Sequence, residues 1–430
     1  MRKVYADNSS TSFPKAPGVS DAIKGFVDNI GCNVNRGGYE SSYNTALEIL
    51  ETKKMLCRLF GLCQPRNVIF TPGITYSINM ILHGFLKSGD HVITTSMEHN
   101  GVMRPLHALS EKGITYDIAL CESDGSLNVS RIKNLINSKT KAVVMTHASN
   151  VCGTVLPIYD VAEICQRHSI RLVVDSAQTA GALDINMEGI DALTFTCHKG
   201  LLAMQGLGGF LVKSDFANEI EPIITGGTGS ISHEITQPEI LPDKFEPGTL
   251  NIPGIFGLKA ALEYIVAIGT KAIYEKELAL TEKFLFEMSQ IPNVRIVGKK
   301  VNVTVNSTAR KNNTTYKSST AHGCNTTHGC NTTYEKSITS TCKYPERIAV
   351  VSLDFIDKDN AEIASVLDRD YGIMTRCGLH CSPSAHKTLG TYPQGTVRFS
   401  FGHFNTFDDI EYIAASIEDI LKKESGPGEK

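Results

Sequence analysis

The sequence lacks the features that mark membrane, secreted and nucleic-acid-binding proteins. No stretch approaches the ~20 apolar residues that a membrane helix needs, and no apolar segment of the kind a secretory signal requires follows Arg2 and Lys3. No run of Lys and Arg is longer than a pair, and the formal net charge is −3, so no basic field is present to hold a phosphate backbone. We therefore expect a cytoplasmic protein that binds neither nucleic acid nor a membrane.

The composition also excludes disorder and fibrous structure as the main state. Hydrophobic residues make up 41% of the chain and charged residues 20%, a balance typical of globular proteins. The 430 residues suffice for two or three domains at roughly 150 residues each. The 12 cysteines are scattered, without the close spacings of a disulfide-stabilised secreted domain, and we predict that most are buried thiols.

Between about residues 60 and 250, helical patterns alternate with short apolar runs that end in polar or glycine-containing turns. This alternation predicts an α/β fold with a mostly parallel sheet. The predicted strands are 67–71, 91–95, 141–146, 171–175 and 192–196, with helices at 75–86 and 161–168 among those between them. Because ligands bind beyond the carboxyl ends of such strands, the residues that follow each run are candidates for chemistry.

The second half of the chain shows a different organisation. A helical pattern over about 255–290 predicts one long helix, and strand patterns begin at Val294 and Arg347. Residues 299–345 are rich in Asn, Thr, Ser and Lys, which is typical of a low-complexity insertion. A tandem His-Gly-Cys-Asn-Thr-Thr repeat at 322–333 could bind zinc, but repeat expansion in a surface loop is the interpretation we favour, and we predict no metal site.

Lys199 and Asp175 are the first candidates for catalysis. Lys199 follows one predicted strand and Asp175 ends another. A lysine whose pKa is lowered can form a Schiff base with a carbonyl group, and a carboxylate can keep a pyridine nitrogen protonated, so that pyridoxal phosphate serves as an electron sink. A surface lysine and a helix-capping aspartate are the alternative for these two residues alone.

Other strand ends carry groups that suit such a cofactor. Gly73-Ile74-Thr75 opens a helix directly after a strand and offers backbone N–H groups and a hydroxyl to a phosphate, to which Thr196 and His198 add donors. His99 follows a further strand, and an imidazole can stack on an aromatic ring or move protons.

The chain resembles the cysteine desulfurase and selenocysteine lyase family of class V aminotransferase-fold enzymes. The resemblance covers nearly the whole chain apart from about 299–345. The motifs that carry it are Asp7-Asn8, Thr11-Ser12-Phe13-Pro14-Lys15, Arg36-Gly37-Gly38, Glu98-His99-Asn100, residues 149–154 (SNVCGT), 174–178 (VDSAQ), 196–199 (TCHK), 245–251 (FEPGTLN), 375–381 (TRCGLHC), 397–400 (VRFS) and 404–406 (FNT).

The resemblance implies the fold of the aspartate-aminotransferase-like pyridoxal-phosphate enzymes. A large cofactor-binding domain would span 15–255 around a mostly parallel seven-stranded sheet. A smaller α+β domain would comprise 1–14 and 256–430, with the insertion at 299–345 inside it. The resemblance also implies a homodimer, in which Thr249 reaches the cofactor phosphate of the neighbouring subunit.

The resemblance assigns roles residue by residue. Lys199 would hold pyridoxal 5′-phosphate as a Schiff base, Asp175 would pair with its pyridine nitrogen and His99 would stack on its ring. The other matches divide into three groups: Asn150 and Gln178 near the phenolic oxygen, Gly73, Ile74, Thr75, Thr196 and His198 at the phosphate, and Asn8, Arg36, Asn150, Arg376 and Arg398 at the substrate, where Arg398 would clamp the carboxylate.

Cys381 distinguishes between the reactions of this family. The resemblance implies that its thiolate attacks the substrate sulfur, with Arg376, His380 and His386 close in sequence. Cys377 departs from the small non-thiol residue expected there. It could pair with Cys381 or bind metal, but ordinary packing is favoured. Tyr39 replaces a histidine common in relatives, which leaves its substrate contact open.

The sequence thus predicts an enzyme that converts L-cysteine to L-alanine and passes sulfur from a Cys381 persulfide to an acceptor protein or a small thiol. A selenocysteine lyase acting on L-selenocysteine is the nearest alternative. A class V aminotransferase would need Lys199 and Asp175 but not Cys381. A thiol or metal sensor built on the Cys/His insertion is the alternative outside enzymology.

Overall fold

The computed structural model describes residues 2–34, 37–231, 233–299 and 345–424. Its strands are β1 (Val4–Tyr5), β2 (Val68–Thr71), β3 (His91–Thr95), β4 (Thr115–Ala119), β5 (Thr140–Thr146), β6 (Arg171–Asp175), β7 (Ala192–Thr196), β8 (Gly208–Val212), β9 (Val294–Val297), β10 (Val350–Phe355), β11 (Ile373–Met374), β12 (Arg376–Gly378) and β13 (Thr396–Ser400). Its helices are α1 (Val19–Asn29), α2 (Glu40–Phe60), α3 (Ile74–Phe85), α4 (Asn100–Ser110), α5 (Ser130–Leu135), α6 (Ile158–Arg167), α7 (Ser214–Glu219), α8 (Ile252–Ile268), α9 (Thr270–Ser289), α10 (Asn360–Tyr371), α11 (Pro383–Thr388) and α12 (Phe407–Glu424). Each of the five strands predicted between residues 60 and 250 is present, with bounds that agree within one residue.

A seven-stranded sheet with the order β2-β8-β7-β6-β5-β3-β4 lies at the centre of the fold. Its neighbouring strands are parallel except at β8, which runs antiparallel to both β2 and β7. The prediction of a mostly parallel seven-stranded sheet is therefore confirmed. The antiparallel strand β8 was not among the predicted strands, because its glycine-rich start is typical of a turn.

Both faces of this sheet are buried, which explains why its strands are continuous apolar runs. Along β5, Val143 and Met145 pack into one core cluster, whereas Ala142 and Val144 pack into another on the opposite face. Successive side chains of a strand point to opposite faces, so a strand with core on both sides needs apolar residues at every position. These two core clusters lie between the sheet and the layers of helices that cover its two faces.

A four-stranded antiparallel sheet with the order β12-β13-β10-β9 is built from residues 294–400. The short strand β1 pairs in parallel with β11, and a bridge joins Asp7 to Ser400. These pairings bring the N-terminal segment beside β13. The proposed domain boundary near residue 255 stays a prediction, and the repeat at 322–333 lies outside the described residues.

The prediction of one long helix over 255–290 is wrong. Two helices, α8 and α9, meet at a bend of 80°. Gly269 between them has φ 88°, in the left-handed region that ends a helix. The apolar spacing continues through the bend, which is why the pattern alone did not show it. Within the described part of the chain, no single helix is long and apolar enough to cross a membrane, although α8 and α9 taken together meet those criteria.

Candidate active site

Loops that follow four neighbouring strands meet at the carboxyl edge of the central sheet. His99 follows β3, Asn150 follows β5, Asp175 ends β6 and Lys199 follows β7. The register of the sheet pairs Thr146 at the end of β5 with Asp175, so these strands end at the same level. The structure therefore brings together candidates that lie up to 100 residues apart in sequence.

Asp175 and Lys199 interact electrostatically in a buried setting. Asp175 is only 4% exposed, and its Oδ1 accepts a hydrogen bond of 2.8 Å from the Ala177 N–H. Burial raises the pKa of Asp175, against the opposing effects of that hydrogen bond and of Lys199. Burial lowers the pKa of the Lys199 ammonium to about 8, although the charge of Asp175 acts in the opposite sense. A substantial fraction of Lys199 is therefore the neutral amine at mildly alkaline pH, and only that form attacks a carbonyl carbon.

A cradle that suits a phosphate lies between the start of α3 and the loop after β7. Nδ1 of His198 is buried without a hydrogen-bond partner among the described residues. Burial, with Lys199 and Lys15, lowers the pKa of His198 to about 4, so its ring is neutral. The N-cap Gly73 gives α3 no side-chain cap, and a Cβ at Gly73 would meet no atom within 4 Å. The uncapped N–H groups of α3 and the unpartnered nitrogen of His198 are donors for an anion, and the space at Gly73 is open. These features together fit a phosphate.

His99 is the N-cap of α4, and its Nδ1 accepts a hydrogen bond of 2.9 Å from the Gly101 N–H. Burial and the charges of Lys199, Arg376, Arg398 and Arg104 lower its pKa to about 4. The ring is therefore neutral, and since Nδ1 is an acceptor, its proton lies on Nε2.

Arg398 on β13 is 1% exposed and is held on three sides. Its Nη1 donates to the Asn150 carbonyl at 3.0 Å, and its Nη2 donates to Asp7 Oδ1 and Ser10 Oγ, both at 2.8 Å. Burial lowers the pKa of Arg398, against the charge of Asp7. Its Nε is buried without a partner in the described part of the chain. This unpartnered donor on a fixed guanidinium suits an anionic group.

Cys381 lies beside a second arginine. Arg376 is directly opposite Arg398 across the β12–β13 pair. Its Nη1 contacts Ser10 Oγ at 3.3 Å, and its Nη2 contacts Cys381 Sγ at 3.4 Å. The thiol is exposed. Cys381 is therefore an accessible thiol whose sulfur contacts a guanidinium donor.

The backbone around Cys381 is strained and is held by Asn150. His380 and Cys381 have φ 48° and 58°, in the left-handed region that residues other than glycine rarely adopt. Nδ2 of Asn150 donates to the His380 carbonyl at 2.8 Å, and its Oδ1 accepts from Ser382 Oγ at 2.7 Å. The Asn100 N–H donates to the Cys381 carbonyl at 2.7 Å. The Asn150 side chain therefore bonds to the residues on both sides of Cys381. Its predicted contacts with a cofactor oxygen and with substrate stay predictions.

Other predicted site residues lie at or near this cluster with different partners. The Gln178 amide exchanges hydrogen bonds with Ser9, through Oγ at 3.1 Å and the carbonyl at 3.2 Å. Nδ2 of Asn8 donates to the Ser400 carbonyl and to Asn405 Oδ1, which fastens the N-terminal segment to β13. The predicted roles of Gln178 and Asn8 stay predictions.

The remaining predicted residues are placed as follows. Thr75 lies in the first turn of α3, and Thr196 is buried at the end of β7. Thr249 is exposed, with Oγ1 at 3.4 Å from Asn33 Nδ2. Arg36 lies outside the described residues, and Tyr39 is 51% exposed.

Cys377 faces away from the nucleophile. It lies between Arg376 and Gly378 on β12, and alternate residues of a strand point to opposite faces. Arg376 is the one that contacts Cys381. Burial raises the pKa of the Cys377 thiol, which is a free cysteine. The position of Cys377 on β12 and the burial of its thiol favour ordinary packing as the role of Cys377.

Sequence reasoning missed Glu98, which precedes His99. Its Oε1 accepts from Thr95 Oγ1 at 2.6 Å and from the Thr146 N–H at 3.0 Å. Its Oε2 is buried without a partner among the residues described. Burial raises the pKa of Glu98 to about 8, and Asp175 adds to the rise. The carboxyl group is therefore mostly protonated at neutral pH, beside the negative charge of Asp175. A carboxyl three residues after a predicted strand, directly before His99, was the signal that could have identified it.

Comparison with known proteins agrees with this arrangement. The model of the aminotransferase class-V family matches residues 4–327 and 319–413. A probable cysteine desulfurase from Methanothermobacter thermautotrophicus is 26% identical over 423 residues, which cover 97% of this chain and 94% of that protein. The apo structure of a cysteine desulfurase from Thermococcus onnurineus superposes with a TM-score of 0.81 at 25% identity, over 98% of this chain and 95% of that one. A cysteine desulfurase from Escherichia coli has a TM-score of 0.79 at 21% identity, over 98% of this chain and 95% of the other, and shares the fold.

Proposed function

The chain belongs to the aminotransferase class-V family, and on that premise we propose that it is a pyridoxal-phosphate-dependent cysteine desulfurase. It converts L-cysteine to L-alanine and leaves a persulfide on Cys381. The observation that carries the proposal is the Cys381 thiol, which contacts Arg376 and lies in a loop that Asn150 holds at the sheet edge of Lys199 and Asp175. Relatives named as cysteine desulfurases support it.

Enzymes of this family generally depend on pyridoxal phosphate. The donor set of this chain fits that group: Lys199 would bind it covalently, Asp175 would pair with its pyridine nitrogen, and His198 with the start of α3 would hold its phosphate. When bound, the cofactor supplies an electron sink for the negative charge that develops at the substrate α-carbon.

Arg398 and Arg376 provide the substrate-binding side of the site. The unpartnered Nε of Arg398 is available to the carboxylate of an amino acid. The guanidinium is held by Asp7, Ser10 and Asn150, so its orientation is fixed before substrate binds. Because this planar donor is fixed, it favours one orientation of the bound carboxylate. That orientation in turn sets the direction of the substrate side chain.

Lys199 moves the proton from the substrate α-carbon. With its pKa lowered to about 8, its Nζ carries an available lone pair at mildly alkaline pH and still holds a proton long enough to return it to product. The neutral His99 is close enough to Lys199 for the charge of the lysine to lower its pKa, and it lines the same groove as Cys381, so its Nε2–H is a hydrogen-bond donor at this end of the site.

Cys381 completes the reaction. Its thiolate attacks the substrate sulfur, a sulfur–sulfur bond forms, and the carbon–sulfur bond breaks with its electron pair left on the carbon side. Protonation of the carbon skeleton gives alanine, and the persulfide stays on Cys381. The sum is L-cysteine plus enzyme thiol giving L-alanine plus enzyme persulfide, which needs no external oxidant.

A single-turnover experiment tests the proposal. The protein with pyridoxal phosphate is given one equivalent of L-cysteine per protomer without any other thiol, and alanine is quantified. We expect about one alanine per protomer and a 32-Da mass increase (one sulfur atom) on the peptide with Cys381 in the wild type, and neither in Cys381→Ser. Cys63→Ser is the matched control, because Cys63 is an exposed thiol outside the site. Full alanine formation by Cys381→Ser would refute the nucleophile assignment.

The alternatives give different outcomes in the same experiment. Alanine from L-selenocysteine but not from L-cysteine would identify a selenocysteine lyase. Keto-acid-dependent transamination that survives in Cys381→Ser would identify an aminotransferase. The sensor interpretation rests on the repeat at 322–333, which is outside the described residues.

We also propose a homodimer in the cytoplasm. The exposed Thr249 supports contact with a second subunit, in agreement with the family pattern. The nine cysteines in the described part of the chain are all free thiols, which supports a reducing compartment.

A further inference from the structure

A groove between α3 and α4 opens beside Cys381. It encloses about 360 Å³, within the size range of roughly 300–1,000 Å³ typical of small-molecule sites. Its lining residues are Thr75, Asn79 and His83 of α3, Asn100, Gly101, Arg104, Pro105 and Ala108 of α4, and His99 and Cys381 at one end. We call it the α3–α4 groove. Lys199 and Asp175 do not line it.

The spacing of the lining residues gives the groove its direction. Thr75, Asn79 and His83 recur every four residues on one face of α3, as Asn100, Arg104 and Ala108 do on α4. The two helices start close together, because a Cβ on Gly101 would lie 3.9 Å from Thr75 Oγ1. The Asn100 N–H also holds the Cys381 carbonyl. The groove therefore leads from the nucleophile outward along both helices.

The charge of the groove is positive. The Arg104 side chain is exposed and takes part in none of the ion pairs or side-chain hydrogen bonds of the described residues. Its charge acts on His99 at the inner end, as do those of Arg376 and Arg398. No acidic side chain is among the lining residues. The N-terminus of α4 lies at the same end and adds partial positive charge, whereas that of α3 is assigned to the cofactor phosphate. An anionic ligand matches these features.

We propose that the α3–α4 groove binds the acceptor of the outer sulfur, and that this acceptor is a small thiol that carries carboxylate groups. The inference rests on the proposed desulfurase function and names its acceptor. The acceptor thiolate attacks the outer sulfur of the Cys381 persulfide, the sulfur–sulfur bond breaks, and Cys381 leaves as a thiolate. The acceptor becomes a persulfide, so sulfur is transferred without net oxidation.

Glutathione and its diethyl ester provide the test, because they have the same thiol but differ in carboxylate charge. The enzyme is loaded with L-cysteine, freed of substrate by gel filtration, and mixed with each thiol, and loss of the persulfide is followed by mass spectrometry. We expect wild type to react with glutathione at least about tenfold faster than with the ester, as a charge-assisted contact predicts. The ratio should fall towards one in Arg104→Gln and stay unchanged in the control Arg167→Gln, since Arg167 is an exposed arginine that pairs with Glu163.

A second measurement does not depend on desulfurase activity. S-methylglutathione cannot accept sulfur, and it should slow the alkylation of Cys381 by iodoacetamide in wild type but not in Arg104→Gln. Equal reaction of glutathione and its ester in wild type, or a ratio unchanged by Arg104→Gln, would overturn the acceptor proposal. A protein that forms no alanine would refute the proposed function instead, and the alkylation assay would still decide whether the groove binds the anion.

Discussion

Removal of the Asn150 side chain should uncouple the nucleophile from the earlier steps of the reaction. Asn150 makes two hydrogen bonds to the Cys381 loop, at 2.8 Å to the His380 carbonyl and at 2.7 Å from Ser382 Oγ. They hold two consecutive residues in the left-handed region, a conformation that costs of order 1–3 kcal/mol for each such residue. In Asn150→Ala the loop is free to relax to an ordinary conformation, which moves the thiol away from the substrate sulfur.

The magnitude follows from the two lost bonds. At about 1 kcal/mol each they contribute about 2 kcal/mol, which corresponds to a factor of about 30 in the rate of alanine formation. Exchange of the substrate α-proton depends on Lys199 instead and should change by less than about threefold. The rest of the fold keeps its packing, so the thermal unfolding of the variant stays cooperative.

The assay measures both steps in one sample. Proton NMR in D2O follows the loss of the L-cysteine α-proton signal and the appearance of the alanine methyl signal. Asn128→Ala is the control, because the Asn128 side chain also makes two hydrogen bonds, both accepted by Oδ1 from Ser130, at an exposed turn. Equal losses of proton exchange and alanine formation in Asn150→Ala would refute the positioning role and would place Asn150 on the substrate or cofactor.

Two further predictions concern the surroundings of the cofactor site. Burial in the folded state raises the pKa of Glu98 to about 8, so the folded protein keeps a proton on Glu98 that the unfolded chain loses near pH 4.5. The contribution of Glu98 to the free energy of unfolding therefore declines as pH rises from about 4.5 through 8. The free energy of unfolding of Glu98→Gln, measured by urea titration, should therefore increase relative to that of wild type over this pH range, by at most about 5 kcal/mol. A difference between the two proteins that does not change with pH would contradict a protonated Glu98. In Gly208→Ala the added Cβ would lie 2.8 Å from the Gly73 Cα and 2.7 Å from the Phe195 carbonyl oxygen. It should lower stability by about 1–3 kcal/mol and weaken pyridoxal phosphate binding in an absorbance titration. The control Gly25→Ala meets no atom within 4 Å, and equal cofactor affinity of the two variants would refute the cradle.

The central sheet and the order of the catalytic residues along it could be predicted from the sequence. Five strands appear as continuous apolar runs because both sheet faces are buried, and the positions after them identify His99, Asp175 and Lys199 without knowledge of the packing. Chain order and strand direction alone bring such residues to one edge.

Contacts between distant segments could not be predicted from the sequence. Asn150 binds residues about 230 positions later in the chain, and Arg398 binds Asp7 near the N-terminus. These pairings depend on how β13 packs against β1 and the loop after β5, which no local pattern encodes. The bend at Gly269 was hidden for a related reason, because helical spacing of apolar residues continues on both sides of it.

The mass of the Cys381 peptide after one turnover with L-cysteine decides whether Cys381 is the nucleophile. We expect an added sulfur on Cys381, in the same amount as the alanine released. Alanine without sulfur on Cys381, or sulfur carried by another cysteine, would contradict it.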